Sequence, residues 1–171
     1  MKSDEVSEEV KDVYAHFGLA IYLAQCLEHG LVNGLLFLDH VPNKVRATKS
    51  ASEWEASVDS FMDSKFQFTL GRMIRELKEV SAVDSKLEGL LATALTRRNW
   101  LAHEYFKDRA QELMTHAGRT QMVAELEDAR ELFLRADAAL EKAIRPARLR
   151  LGLTDQAWGA TYEMLRAEIG S

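Results

Sequence analysis

Hydrophobic residues recur every three or four positions along most of the chain, which is the spacing of amphipathic α-helices. The first run predicts a helix from about Asp4 to Leu38. A second apolar stripe lies beside the first on the same helix, at Leu19, Leu23, Cys26, Gly30 and Phe37. A helix that is apolar on two sides is usually buried on both, so we expect a central helix or one used for self-association. Its glycines Gly30 and Gly34 would let another helix approach closely.

Two further helices are predicted, each opened by a capping box. After a polar linker at 39–52, Ser52-Glu53-Trp54-Glu55 opens a second helix. Its buried face consists of Met62, Phe66, Leu70, Met73, Leu77 and Val80. Ser85-Lys86-Leu87-Glu88 opens a third helix, which is predicted to end near Phe106. The stripe of that third helix consists of Leu87, Leu91, Ala94, Arg98, Leu101 and Tyr105.

A fourth helix is predicted from an N-cap at Asp108 to about Ile144, with Gly118 as a candidate break. Pro146 is expected to end or kink it, and Thr154 to cap a short last helix that reaches about Ile169. No segment has the alternation of a strand. These patterns predict an all-α fold, an antiparallel bundle of four main helices plus a short C-terminal helix, in a single domain at 1–171.

Charge and cysteine content narrow the classes of protein that fit. The net charge of −5 supplies no global basic field for nucleic acid, so any RNA site must be a local patch. Cys26 is the single cysteine of the 171 residues, which fits a reducing compartment. The N-terminal residues are acidic and lack the apolar core of a signal peptide. Polar residues interrupt the apolar stretch at 17–38, so we expect a buried helix, no membrane span and a cytoplasmic location.

The segment from Arg97 to Phe106 carries the chemistry of the chain. Arg98 falls on the apolar stripe of the third predicted helix, where a charge is costly unless it has a partner or a function. At 100° per residue, His103 lies about 140° round the helix from Arg98, on a more polar edge with Asn99. A second copy of the helix across an interface would bring Arg98 and His103 together more naturally than one copy does.

These residue types suit RNA cleavage. A neutral imidazole can deprotonate a ribose 2′-hydroxyl near neutral pH, and a planar guanidinium matches a phosphate and its transition-state charge. Because the attacking group belongs to the substrate, we expect neither a metal site nor a cofactor. The chain also lacks the Glu-x-x-His pairs of di-metal bundles and the glycine-rich loops that bind nucleotide phosphates.

The motif resembles that of the HEPN (higher eukaryotes and prokaryotes nucleotide-binding) superfamily. Those all-helical proteins carry Arg-x4-6-His, often with Asn or Asp directly after the arginine. Here the pattern is Arg98-Asn99-Trp100-Leu101-Ala102-His103, and Tyr105 completes the Arg-x4-His-x-Tyr form of HepT-like toxins in HEPN–MNT toxin–antitoxin systems. The first helix and the tail beyond Pro146 are longer than in those compact toxins.

The resemblance implies a metal-independent endoribonuclease of toxin or defence type, with its site at the cleft of a homodimer. Arg98 and His103 would be the catalytic pair, Asn99 a residue that orients the motif, and Tyr105 a site of modification by an MNT-type antitoxin. The weaker candidates for RNA contact are the neighbouring cations Arg97, Lys107 and Arg109.

A second interpretation stays open at this point. The superfamily includes non-catalytic relatives, so the chain is alternatively a silent HEPN-like module for helical interaction or nucleotide binding. If the chain is not HEPN-like, Arg98 would instead pair with a buried carboxylate and His103 would be an ordinary surface histidine.

Overall fold

The computed structural model describes residues 2–81 and 83–154, with side chains from residue 6 onward. Within these ranges the secondary structure is helical and contains no strand, which confirms the all-α prediction. The α-helices are α1 Lys2–Leu35, α2 Val41–Lys44, α3 Ala51–Phe66, α4 Leu70–Val80, α5 Ser85–His103, α6 Tyr105–Asp108 and α7 His116–Arg150. A π-helical turn at Leu36–His40 joins α1 to α2, and a 3₁₀ turn at Glu112–Met114 precedes α7.

The two long helices, α1 and α7, run parallel to each other. Glu9 of α1 contacts Arg119 near the start of α7, and Gly34 lies against Ile144 near the end of α7. The helix α5 runs antiparallel to α1, since Arg98 meets Glu28 while Tyr105 lies against Phe17. The bundle is therefore antiparallel only in part, because its two longest helices are parallel. Between α1 and α7 the chain returns along the bundle through α5. As a result, α7 begins at the same end of the bundle as α1.

Both glycines near the end of α1 permit a close approach of α7, as the sequence predicts. A Cβ atom on Gly30 would lie 2.8 Å from Oδ1 of Asp137, and one on Gly34 would lie 2.7 Å from Cδ1 of Ile144. The second apolar stripe of α1 is buried only in part: Phe37 is 6% exposed, whereas Leu19 is 39% exposed. The hydrophobic core combines residues of α1, α4, α5 and α7, and α3 contributes no fully buried side chain.

The predicted second helix is two helices. Ser50, not Ser52, is the N-cap of α3, and its hydroxyl accepts a hydrogen bond from the backbone N–H of Glu53. Thr69 adopts an extended conformation and caps α4 in the same way, through the N–H of Arg72. Because no glycine or proline marks this break, hydrophobic spacing alone predicted a continuous helix. The linker predicted at 39–52 is also shorter than expected, since helix continues to Lys44.

The remaining helix boundaries shift by a few residues. Asp84, not Ser85, caps α5 and accepts from the N–H of Leu87. Asp108 ends α6 instead of opening a helix, and its carboxylate accepts a hydrogen bond from Nε1 of Trp100 at 2.8 Å. Thr115 is the N-cap of α7.

The helix α7 continues through both of its predicted breaks. Gly118 is buried within the first turns, and Pro146 lies inside the helix. Pro146 is exposed, while Ile144 and Ala147 on either side of it are buried against the bundle, so packing holds the helix across the missing N–H. The short last helix predicted from Thr154 to Ile169 lies outside the described residues.

Among the residues that the structure describes, one stretch is long and apolar enough to cross a membrane by length and composition alone. It covers Val6–Lys44 and has a mean hydropathy of 1.3 in its most apolar window. The core helix of a water-soluble protein meets the same criterion, and this stretch supplies core residues that pack against α7.

Candidate functional site

Arg98 is held in place at the contact between α5 and α1. Its Nε donates a hydrogen bond to Oε1 of Glu28 at 3.0 Å, and its Nη1 donates to Oδ1 of the neighbouring Asn99 at 3.4 Å. The Arg98 side chain is 32% exposed and that of Glu28 is 21% exposed. The charge on the apolar stripe therefore has a carboxylate partner, and the guanidinium still reaches solvent. Sequence analysis did not identify Glu28, which is 70 positions away and belongs to no motif.

His103 is the last residue of α5 and is exposed to solvent. Its imidazole makes no hydrogen bond or ion pair with another residue of the described ranges. The chain turns sharply at Glu104, where φ is −126° and ψ is −18°, and this turn leaves the imidazole on the surface.

Arg98 and His103 do not face each other within one chain. They are five positions apart, which corresponds to about 140° around the helix axis and about 7.5 Å along it. Arg98 is directed towards Glu28 of α1, whereas His103 lies on the outer edge of α5. One copy of the chain thus presents the two groups on different sides of α5.

Tyr105 is part of the core. It is 1% exposed, its hydroxyl donates to the backbone oxygen of Met122 at 3.2 Å, and its ring stacks on Phe17 with the centroids 5.8 Å apart. Burial, followed by the nearby charge of Glu125, raises the pKa of the phenol well above its usual value. In this conformation the hydroxyl is inaccessible to a modifying enzyme.

The three flanking cations lie in different surroundings. Lys107 is exposed and pairs with Glu104 at 2.9 Å. Arg109 forms a two-pronged contact with Glu125, with N–O distances of 2.8 and 2.9 Å. Burial of Glu125 would raise its pKa, but hydrogen bonds from Arg109 and Gln121 outweigh this effect, so the pKa lies below its usual value. The guanidinium of Arg97 lies over the ring of Trp100, 5.4 Å from its centroid.

An open groove of about 720 Å³ lies between α5 and α7, beside the motif. Arg97, Trp100 and Arg109 line it, while Arg98 and His103 are outside its lining. In the part of the chain that the structure describes, no group of three or more His, Cys, Asp or Glu side chains is arranged to hold a metal ion.

In comparisons with known proteins, no protein-family model, curated protein or solved structure matches this chain. Any assignment of function therefore depends on the residues and their geometry.

Proposed function

We propose that this protein is a HEPN-like endoribonuclease of toxin or defence type, which cleaves RNA in the cytoplasm without a metal ion. Arg98 and His103 are its catalytic residues, and the site forms at the cleft of a homodimer. One observation carries the proposal: Glu28 and Asn99 orient the Arg98 guanidinium at the surface, near an unengaged imidazole at the end of the same helix.

The proposed reaction is an internal transfer within RNA. The neutral imidazole of His103 takes the proton of a ribose 2′-hydroxyl, and the 2′-oxygen forms a bond to the adjacent phosphorus. The bond from phosphorus to the 5′-oxygen breaks, and that oxygen takes a proton from a protonated imidazole supplied by the partner's His103. The products are a 2′,3′-cyclic phosphate and a 5′-hydroxyl. Arg98 stabilises the charge that develops on the phosphate oxygens.

The contacts of Arg98 support its role in this scheme. An arginine on a flexible stem loses conformational entropy when it binds a phosphate, and a side chain already fixed by two contacts loses less. Glu28 and Asn99 use Nε and Nη1 of the guanidinium, which leaves N–H donors for a substrate oxygen. Asn99 is accordingly a positioning residue in this proposal.

The homodimer is part of the proposal because one chain separates the two groups. Pairing α5 with the same helix of a second chain would place Arg98 and His103 from both chains around a single groove. Because the Tyr105 hydroxyl is buried, an MNT-type antitoxin would control such an enzyme by covering the cleft between the two chains rather than by modifying Tyr105.

The alternative proposal is a catalytically silent HEPN-like module for interaction or nucleotide binding. It is favoured by the ion pair between Arg98 and Glu28, which already balances the charge of the guanidinium. The two proposals predict different outcomes for a single substitution at position 103.

RNA cleavage in the presence of EDTA distinguishes them. We expect the purified protein to cleave RNA, His103→Ala to abolish cleavage, and Arg98→Lys to restore little because the planar fork is lost. His29→Ala is the matched control, because His29 is also exposed and its ring lies against Phe66 rather than against Arg98 or His103. No cleavage by the parent protein, or equal cleavage by His103→Ala, would support the silent module.

A further inference from the structure

The groove between α5 and α7 has the composition of a site for a flat heteroaromatic ring. Its α5 wall presents Thr93, Thr96, Arg97 and Trp100, and its α7 wall presents Glu125 and Asp128. Its volume of about 720 Å³ is within the usual range for small-molecule sites. The groove therefore has room for a nucleobase with its sugar.

Most polar groups of the groove are already engaged with the protein. Arg109 and Glu125 bind each other. The hydroxyls of Thr93 and Thr96 donate to the backbone oxygens of Gly89 and Ala92. The polar atoms of these four side chains are therefore bonded to the protein and are not the groups that would recognise a ligand.

Two charged groups on opposite walls are still available. Arg97 on α5 contacts the ring of Trp100 but makes no hydrogen bond or ion pair with a described residue. Asp128 on α7 is exposed and likewise makes neither kind of contact within the described ranges. The groove thus offers a guanidinium donor on one wall and a carboxylate acceptor on the other.

Trp100 supplies an aromatic surface of fixed orientation between these walls. Its Nε1 donates to Asp108 at 2.8 Å, and its ring meets Tyr105 edge-on with the centroids 4.9 Å apart. The guanidinium groups of Arg97 and Arg109 lie over this ring, 5.4 and 5.3 Å from its centroid. A base would replace the Arg97 guanidinium over the ring, and the tryptophan side chain, held at its edge and at its nitrogen, needs no further ordering.

We propose that this groove binds the guanine base of RNA. Guanine carries two adjacent N–H donors, N1 and N2, which match the two oxygens of the Asp128 carboxylate. Its O6 and N7 are acceptors that match the Arg97 guanidinium, and its π-face stacks on Trp100. Uracil, cytosine and adenine do not combine two adjacent donors with this pair of acceptors.

The proposal deepens the proposed function and rests on it for the nature of the ligand. Trp100 and His103 are three positions apart and so lie on one side of α5, which places a base on the Trp100 ring beside the imidazole. The groove would then select RNA in which guanosine flanks the cleaved bond.

Binding, measured separately from cleavage, tests the proposal. Fluorescence anisotropy of the His103→Ala protein would compare a labelled uridine oligoribonucleotide containing one guanosine with the same oligomer containing inosine, which lacks the N2 amine. We expect the guanosine oligomer to bind about tenfold more tightly, because inosine lacks the N2 donor that guanine offers to the charged Asp128 carboxylate. Asp128→Asn should remove that preference, and Arg97→Gln should weaken binding of both oligomers.

Matched controls lie outside the groove on the exposed face of α7. Glu131→Gln and Arg135→Gln remove the same charges and should leave the preference intact. Equal binding of the two oligomers, or a preference that persists in Asp128→Asn, would overturn the proposal. A guanosine preference that depends on Asp128, in a protein that cleaves no RNA, would support the groove while the endoribonuclease proposal fails. A preference for free GMP over IMP that is absent from the oligomers would overturn the assignment to RNA.

Discussion

The Nε of Arg98 and Oε1 of Glu28 lie 3.0 Å apart and join the motif on α5 to the middle of α1. Both side chains are partly shielded from solvent, so the pair should contribute more than a fully exposed ion pair does. A double-mutant cycle with Arg98→Ala and Glu28→Ala, followed by urea unfolding, should give a coupling energy of about 1 kcal/mol. A coupling energy near zero would show that Glu28 does not position Arg98.

The proposed site requires two copies of the chain. We expect light scattering at micromolar concentration to give about 38.6 kDa, twice the 19.3 kDa of one chain. Cleavage activity should fall with dilution in parallel with the dimer fraction, since the composite site is lost on dissociation. A monomer that cleaves RNA at full rate would contradict the composite site.

Alanine substitutions at two helical glycines test how α7 packs on the 3₁₀ turn that precedes it. A Cβ atom on Gly118 would lie 2.2 Å from the backbone oxygen of Glu112, whereas one on Gly18 would meet nothing within 4 Å. Gly118→Ala should therefore destabilise the protein by about 1–3 kcal/mol through overpacking. Gly18→Ala should stabilise it by about 0.5–1 kcal/mol through helix propensity. Thermal unfolding of the two variants measures both effects, and a stable Gly118→Ala protein would contradict this packing.

Because of Tyr105, we expect the free energy of unfolding to depend on pH in the alkaline range. Its pKa is raised from the ordinary 10.0, chiefly by burial, so the unfolded chain loses this proton before the folded chain does. The free energy of unfolding should hold below about pH 10 and fall as the pH rises above it. Tyr105→Phe should reduce this alkaline loss and cost about 1 kcal/mol at neutral pH from the lost hydrogen bond to Met122. Tyr14→Phe is the matched control, since that ring is 52% exposed, and it should change neither quantity.

Hydrophobic spacing predicted the helical class of the fold and several interior positions. Leu77, Leu91 and Ala94 lie on predicted stripes and are fully buried. The period of an α-helix does not report direction, so the parallel arrangement of α1 and α7 could not be read from it. It also could not show the break at Thr69, where a single hydroxyl cap ends the continuity of a long apolar pattern.

The motif identified candidate residues but not their contacts. Arg98 on an apolar stripe signalled a partner or a function, yet Glu28 is identified only when the fold brings α1 to α5. Asp108 has the sequence signature of an N-cap, but its carboxylate accepts a hydrogen bond from the Trp100 indole instead. The groove between α5 and α7 combines residues more than 20 positions apart, which no local pattern groups together.

The central claim is that Arg98 and His103 perform an internal transfer within RNA. The most direct measurement is the chemistry of the product ends, determined by mass spectrometry after incubation of a short oligoribonucleotide with the purified protein in EDTA. We predict 2′,3′-cyclic phosphate and 5′-hydroxyl ends, which disappear with His103→Ala and persist with His29→Ala. Intact RNA, or 3′-hydroxyl and 5′-phosphate ends from attack by water, would contradict the proposed mechanism.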